Sequence, residues 1–222
     1  MLLAAGRGER MRPHTDTLPK SLLPLRGKPL IVYHLEKLAA AGVREVVINT
    51  GWLGEKIPVA LGDGSAWELQ ISYSHEGWPA LETGGGIKRA LPLLGTAAFL
   101  VINADVYSDY PYANLAQRDV VASDLAHLVL TANPPHYPAG DFALEGQRVR
   151  SEGRPRHTYT GIGLFRPELF QTVPEEAFSW VPLLREAMRR DRVAGEMYTG
   201  FWRDIGTPQR LAELRGVGSD VS

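Results

Sequence analysis

Short apolar runs alternate along this chain with stretches in which apolar residues return every three or four positions. The runs predict strands over 1–4, 45–49, 69–74, 99–103, 125–132, 160–165 and 201–204. Phe99-Leu100-Val101-Ile102 is apolar without alternation, the pattern of a central strand covered on both faces. Between the runs the period becomes helical. Pro29 suits a first helical position, Ile31, Leu35 and Leu38 follow at helical spacing, and Gly42 closes the segment. Further helices are expected over 83–91, 180–190 and 207–215.

Strand and helix in alternation predict an α/β fold, a Rossmann-like and mostly parallel mixed sheet with helices on both faces. Ligands bind such sheets beyond the carboxyl ends of the strands. That rule puts Gly6, Asp105 and Asp204 on one rim. One domain over 1–215 accounts for the pattern, with a frayed, flexible tail over 216–222. From 139 to 157 the periodicity weakens around Gly140-Asp141-Phe142 and a basic stretch at 148–156. This segment reads as a hairpin and loop laid over the sheet on the acceptor side of a cleft, or as a solvated surface hairpin. The first strand is short for a central one, so a few residues are expected ahead of Met1.

Composition narrows the function classes. A hydrophobic content of 44% can build a core, and a net charge of −1 offers no basic field for nucleic acid. No apolar run approaches a membrane span and no signal peptide is visible, so a cytoplasmic protein is expected. The absence of cysteine excludes disulfides, thiol catalysis and cysteine-ligated metals. The histidines show no metal-ligand spacing, and neither a zinc-protease helix motif nor a hydrolase nucleophile elbow appears.

The chemistry-bearing residues begin at the first strand, in Leu3-Ala4-Ala5-Gly6-Arg7-Gly8-Glu9-Arg10-Met11-Arg12-Pro13, followed by Pro19-Lys20. Gly6 and Gly8 lack a Cβ, so backbone N–H groups can approach an anion closely. Arg7, Arg10, Arg12 and Lys20 add positive charge, and together they have the composition of a triphosphate cradle. It is not a Walker A loop, because no Gly-Lys-Ser/Thr follows, and Met11 stands where a dinucleotide fingerprint needs its third glycine. Two aspartates close apolar runs, Asp105 after 99–103 and Asp204 after Trp202-Arg203. Carboxylates of this kind hold Mg²⁺ against phosphate oxygens, and either aspartate alone would equally serve as a cap. Asn103 lies two residues before Asp105 on the same side of the strand, in reach of a ribose or a sugar phosphate. The run Glu82-Thr83-Gly84-Gly85-Gly86 opens a helix at a cost unless something must come close. A flat nucleobase on exposed backbone is one candidate, and a flexible loop is the other.

The string L-A-A-G-x-G-x-R-M…P-K resembles the signature of the sugar-1-phosphate nucleotidyltransferases. Leu81-Glu82-Thr83-Gly84-Gly85-Gly86-Ile87, with Gly-Trp-Leu-Gly at 51–54 and Leu-Gly-Asp-Gly-Ser at 61–65, looks like the N-acetylmuramate-1-phosphate uridylyltransferases of cell-wall sugar recycling. The resemblance covers nearly the whole chain, to about Leu214. It implies Mg²⁺-dependent transfer of UMP from UTP to a sugar 1-phosphate, with Asp105 and Asp204 as metal ligands and Lys20, Arg10 and Asp105 as catalytic residues. It implies nucleotide contacts at Ala4, Ala5, Gly6, Arg7, Gly8, Lys20, Glu82, Gly85, Gly86 and Asn103. Sugar-phosphate contacts would come from Asn103, Asp141, Arg154 and Gly161. Many relatives carry a Glu-Lys-Pro whose lysine binds the sugar phosphate. Here Glu152-Gly153-Arg154-Pro155 replaces it. UTP and the sugar 1-phosphate are the expected partners, with no nucleic acid and no membrane, and the protein is expected as a monomer or weak homodimer. The alternatives are another sugar-1-phosphate nucleotidyltransferase with a glucose- or mannose-type acceptor, a metal-dependent glycosyltransferase, or a non-catalytic nucleotide-binding subunit. Asp105-Val106-Tyr107 in place of Asp-x-Asp counts against the glycosyltransferase.

Overall fold

The computed structural model describes residues 1–118, 121 and 123–216. A nine-stranded sheet runs in the order Gln70–His75, Glu45–Thr50, Leu2–Leu3, Phe99–Asn103, Arg156–Phe165, Ala126–Thr131, Val193–Tyr198, Arg148–Arg150 and Phe142–Glu145. The first four strands pair in parallel. Arg156–Phe165 is antiparallel to both of its long neighbours, and only Val193–Tyr198 returns to parallel pairing, with Ala126–Thr131. The sheet is therefore mixed, and the expectation of a mostly parallel one holds for half of it. Parallel neighbours need a crossover of a dozen or more residues, usually a helix. The segment between Ala126–Thr131 and Arg156–Phe165 holds a β-hairpin instead, so the chain comes back antiparallel.

Both faces carry helices, and strand alternation decides which residue meets which. Leu2, Ile48, Leu100 and Ile102 pack with Ile31, Leu35 and Leu38 of the helix Leu30–Ala40. Val47, Phe99 and Val101 pack on the opposite face with Ile87 and Ala90 of Glu82–Leu94, and with Leu184, Ala187 and Met188 of Val181–Arg189. A third cluster joins Met11, Leu23, Leu25 and Leu30 to Ile205, Leu211 and Leu214. It fastens the helix Pro208–Gly216 beside the segment that follows the first strand.

Two expectations change here. The hairpin within 139–157 does not lie over the sheet. Its strands extend the sheet edge, with Phe142 and Val149 in the core. Trp202–Asp204 does not join the main sheet. It forms a two-stranded antiparallel ribbon with Val106–Ser108. The expected tail beyond Gly216 lies outside the described residues.

Candidate active site

The chain leaves Leu2–Leu3 at its carboxyl end and turns through Ala4, Ala5 and Gly6 over an open cavity of about 400 Å³. A Cβ added at Gly6 would meet nothing within 4 Å, so this glycine leaves backbone open to a ligand. Gly8 has a different reason. It sits at φ 65°, and a Cβ there would press on Thr15 at 3.1 Å and on Lys20 at 3.3 Å. That close packing brings Lys20 under the loop, where its side chain is 13% exposed and its ammonium pairs with Asp105 Oδ2 at 2.5 Å. Arg10 lines the same cavity, and its guanidinium makes no hydrogen bond or ion pair among the described residues. Ser21 Oγ, also in this lining, is buried without a hydrogen-bond partner among the described residues.

Arg7 departs from the expectation of a phosphate contact. Its guanidinium donates to Thr15 O at 2.7 Å and to Asp16 Oδ1 at 2.7 Å, and it stacks 3.9 Å from the centre of the Trp52 ring. These contacts hold it on the outside of the loop, away from the cavity.

The two aspartates meet through the ribbon. Val106 pairs with Asp204 in its register, and Ile205 N donates to Asp105 O at 2.8 Å. Both carboxylates line a second cavity of about 360 Å³. Arg10, Asn103 and Asp105 belong to both cavities, so the two are lobes of one cleft that meet at Asp105. Asp204 Oδ2 is ion-paired with Arg210. Its other oxygen, Oδ1, lies 3.2 Å from His136 Nε2 but is buried without a hydrogen bond of good geometry. A buried carboxylate oxygen left this way is costly unless something takes it up. Hard oxygen donors facing a phosphate site suit a divalent cation such as Mg²⁺. Among the described residues no three or more His, Cys, Asp or Glu side chains cluster as a metal site. The protein would thus give two carboxylates, leaving the remaining positions to phosphate oxygens and water.

The glycine run, where the sequence suggested a nucleobase, meets the protein's own packing. A Cβ at Gly84 would collide with the Phe178 ring, at Gly85 with Glu176 O, and at Gly86 with Glu76 Oε1. Gly85 and Gly86 are buried, and neither is among the residues lining the cleft. Glu82 and Thr83 do line it, and Glu82 takes φ 57°, a left-handed conformation uncommon for a residue with a side chain. The space at Gly86 is filled by a buried carboxylate that the sequence reading missed. Glu76 accepts from Asn49 Nδ2 at 2.6 Å and from Leu81 N at 2.8 Å, while Asn49 Oδ1 accepts from Ala4 N at 2.7 Å. One chain of bonds therefore ties the first loop to the loop before Glu82–Leu94. Burial pushes the Glu76 carboxyl above its usual range, against these hydrogen bonds. Asn49 closes a strand beside the first, and the strand-end rule was the signal that could have found it. Gly86→Ala is expected to overpack this spot by about 1–3 kcal/mol. At this chain length that lowers the melting temperature by roughly 2–12 °C. A thermal melt within about 1 °C of the parent would show that Glu76 yields freely.

The acceptor-side expectations are redistributed. Gly161 lines the second lobe at φ 75°, and a Cβ there would fall 2.7 Å from Asn103 Nδ2. Asp141 does not line the cleft. Its carboxylate accepts from Tyr159 N at 2.8 Å and from Tyr137 OH at 3.0 Å, bracing the base of the hairpin. Arg154 is exposed in the turn and lines neither lobe. Arg148 is paired with Asp124 and Asp191, and Arg150 with Glu145 and Asp191. The cations that face this lobe are Arg10, Arg210 and, when protonated, His136. Sequence reading passed over His136 and Arg210, because nothing in their spacing marks a site.

The sequence model of the family described as Nucleotidyl transferase matches residues 1–145. The chain belongs to the nucleotidyl transferase family. It is an enzyme of that class, which sets aside the glycosyltransferase and the non-catalytic subunit. An N-acetylmuramate alpha-1-phosphate uridylyltransferase of Neisseria meningitidis serogroup B is 50% identical over 98% of this chain and 96% of its own length. Another of that description, from Caulobacter vibrioides, is 34% identical over 96% of each. A Bacillus anthracis structure assigned as a glucose-1-phosphate thymidylyltransferase, solved with sucrose, superposes with a TM-score of 0.86 at 19% identity, covering 100% of this chain and 95% of that one. At that identity the likeness is one of fold. Within this nucleotidyl transferase, the matched segment holds the first loop, Lys20, Glu76 and Asp105. Asp204, Gly206 and Arg210 follow it in sequence. A Cβ at Gly206 would fall 2.8 Å from Arg210, 3.1 Å from Asp204 and 3.4 Å from Arg10. Glycine at this position lets all three side chains converge.

Proposed function

We propose that this enzyme transfers UMP from UTP to N-acetylmuramate α-1-phosphate, giving UDP-N-acetylmuramate and pyrophosphate with Mg²⁺ as cofactor. The observation that carries the reading is the two-lobed cleft whose lobes share Arg10, Asn103 and Asp105. A triphosphate over the first loop and a sugar phosphate against Asn103 and Gly161 would meet at that junction. The choice of uridylyl group and acceptor rests on the 50% identity to the Neisseria enzyme.

A phosphate oxygen of the acceptor attacks the α-phosphorus, the bond to the β-phosphate oxygen breaks, and pyrophosphate leaves. The attacking oxygen is already anionic at neutral pH, so the residues need supply little base catalysis. They must align two anions that repel each other and stabilise the charge that moves onto the leaving group. Arg10, unpaired among the described residues, and Lys20, beneath the loop, are placed for this. Asp105 and Asp204 would hold Mg²⁺, which neutralises phosphate charge when bound. The proposed setting is the cytoplasm, in the recycling of peptidoglycan sugars, as a monomer or weak homodimer. Among the described residues no helix is long and apolar enough to cross a membrane.

Pyrophosphate release measured across four nucleoside triphosphates and several sugar 1-phosphates tests the reading. The lactyl carboxylate of N-acetylmuramate is absent from N-acetylglucosamine. One charge-assisted contact contributes about 1.5–3 kcal/mol, so kcat/KM with UTP should favour the muramate by about tenfold or more. Equal values for the two sugars would return the enzyme to a glucose- or mannose-type acceptor. Neutralising Arg148 and Arg150 should leave the preference unchanged, because both are committed to Asp124, Glu145 and Asp191.

A further inference from the structure

The outside of the first loop carries a stack that the reaction itself does not use. Trp78, 55% exposed, meets Trp52 edge-on with ring centres 5.3 Å apart, and the Arg7 guanidinium lies over the Trp52 ring, 3.9 Å from its centre. Trp52 Nε1 donates to Thr15 O at 2.8 Å, the same carbonyl that Arg7 holds. Thr15 Oγ1 in turn donates to Gly8 O at 2.9 Å, and Trp52 N donates to Ala5 O at 3.2 Å. A Cβ at the neighbouring Gly51 would fall 2.6 Å from Ala5 O, so no side chain could stand between. The hydrogen bonds among these contacts end on backbone of the loop or on the turn that closes it, and the ring contacts join them through Trp52. Trp78 belongs to the same connection as Glu76 and Ala80, which line the triphosphate lobe. That connection is thus joined to the first loop twice, inside through Asn49 and Glu76 and outside through the tryptophans.

We infer that Arg7, Trp52 and Trp78 form a positioning clamp that fixes the loop at 5–8 for the triphosphate, with Arg7 acting through Trp52 and Thr15 and never touching a phosphate. A guanidinium suits the role because it can stack on an indole and donate from its edge at once. A lysine ammonium cannot do both. The inference rests on the triphosphate lying over the first loop and is independent of the acceptor sugar.

A double-mutant cycle read by equilibrium titration of the full chain with UTP and Mg²⁺ separates acting through Trp52 from acting on phosphate. Arg7→Met and Trp52→Leu should each weaken UTP binding about tenfold, and the double variant should be no worse than either. Arg7→Lys should behave as Arg7→Met does. At saturating UTP, kcat and the KM for the sugar 1-phosphate should stay within about threefold of the parent. If Trp52→Leu does not fold, the exposed Trp78→Ala replaces it, expected to cost about threefold alone and nothing further in Arg7→Met. A double variant about a hundredfold weaker, or rescue by lysine, would make Arg7 a direct phosphate ligand and overturn the clamp. Unchanged UTP binding in the single variants would overturn it equally. Failure of the parent protein to bind UTP would instead sink the triphosphate reading beneath it.

Discussion

Asp204→Asn is expected to lower turnover by about a thousandfold or more while changing the stability of the fold little. Asp204 Oδ1 is a buried acceptor without a hydrogen bond, and such a group costs stability in the unliganded protein. Asparagine retains the shape and lifts the charge from Oδ1, but it also weakens the ion pair of Oδ2 with Arg210, so the two effects on stability oppose each other. Function should respond far more strongly. A neutral amide binds a hard divalent cation poorly, and the repulsion between the two substrate phosphates is then left uncovered. Several kcal/mol of lost transition-state stabilisation corresponds to about 10³ in rate. Asp105→Asn should fall similarly in rate, since it occupies the junction of both lobes. The measurements are pyrophosphate release over a Mg²⁺ titration and a thermal melt. Near-parental rates at saturating Mg²⁺ would remove that residue from the metal site. A melting temperature lowered by more than about 5 °C would mark Asp204 as a structural partner of Arg210 instead.

Lys20→Ala should reduce kcat by about 10²–10³, the usual cost of removing one preorganised contact to developing charge. The lysine is held in place by its backbone as much as by its side chain. A single turn over Lys20–Leu22 sets its Cα, and the absence of a Cβ at Gly8 lets its stem pass beneath the loop. Without ligand its ammonium rests on Asp105. In the proposed reaction a bound cation would compete for Asp105, and the ammonium would be free to turn toward phosphate, where its charge would act as pyrophosphate departs. The KM for the sugar phosphate should therefore change by less than about threefold while kcat falls. A loss under about threefold in both kcat and UTP affinity would make Lys20 a bystander.

Much of this fold could be read from the sequence, and the unread part has physical reasons. Phe99–Asn103 and Leu30–Ala40 announced themselves because both faces of the one and one face of the other are buried. Val193–Tyr198 did not. Its Gly195 is demanded by Val149 on the neighbouring strand, and a glycine there blurs the alternation that marks a strand. The triple glycine correctly signalled close approach, but composition cannot say what approaches, and here it is Phe178, Glu176 and Glu76. The basic stretch at 148–156 reads as open charge because Asp124 and Asp191, the partners of Arg148 and Arg150, lie far away in sequence. Charge on a sequence counts ions. Only the fold shows which are already paired.

The ribbon of Val106–Ser108 with Trp202–Asp204 sets a timetable for synthesis. A ribosome delivers the first loop, Lys20 and Asp105 well before the strand that pairs with Val106–Ser108. Until Trp202–Asp204 emerges, a nascent chain has a place for triphosphate but lacks half of its proposed cation site. Arg210, which steadies Asp204, arrives later still. The packing of Leu211 and Leu214 against Met11 and Leu30 then ties this late segment back to the loop that was made first.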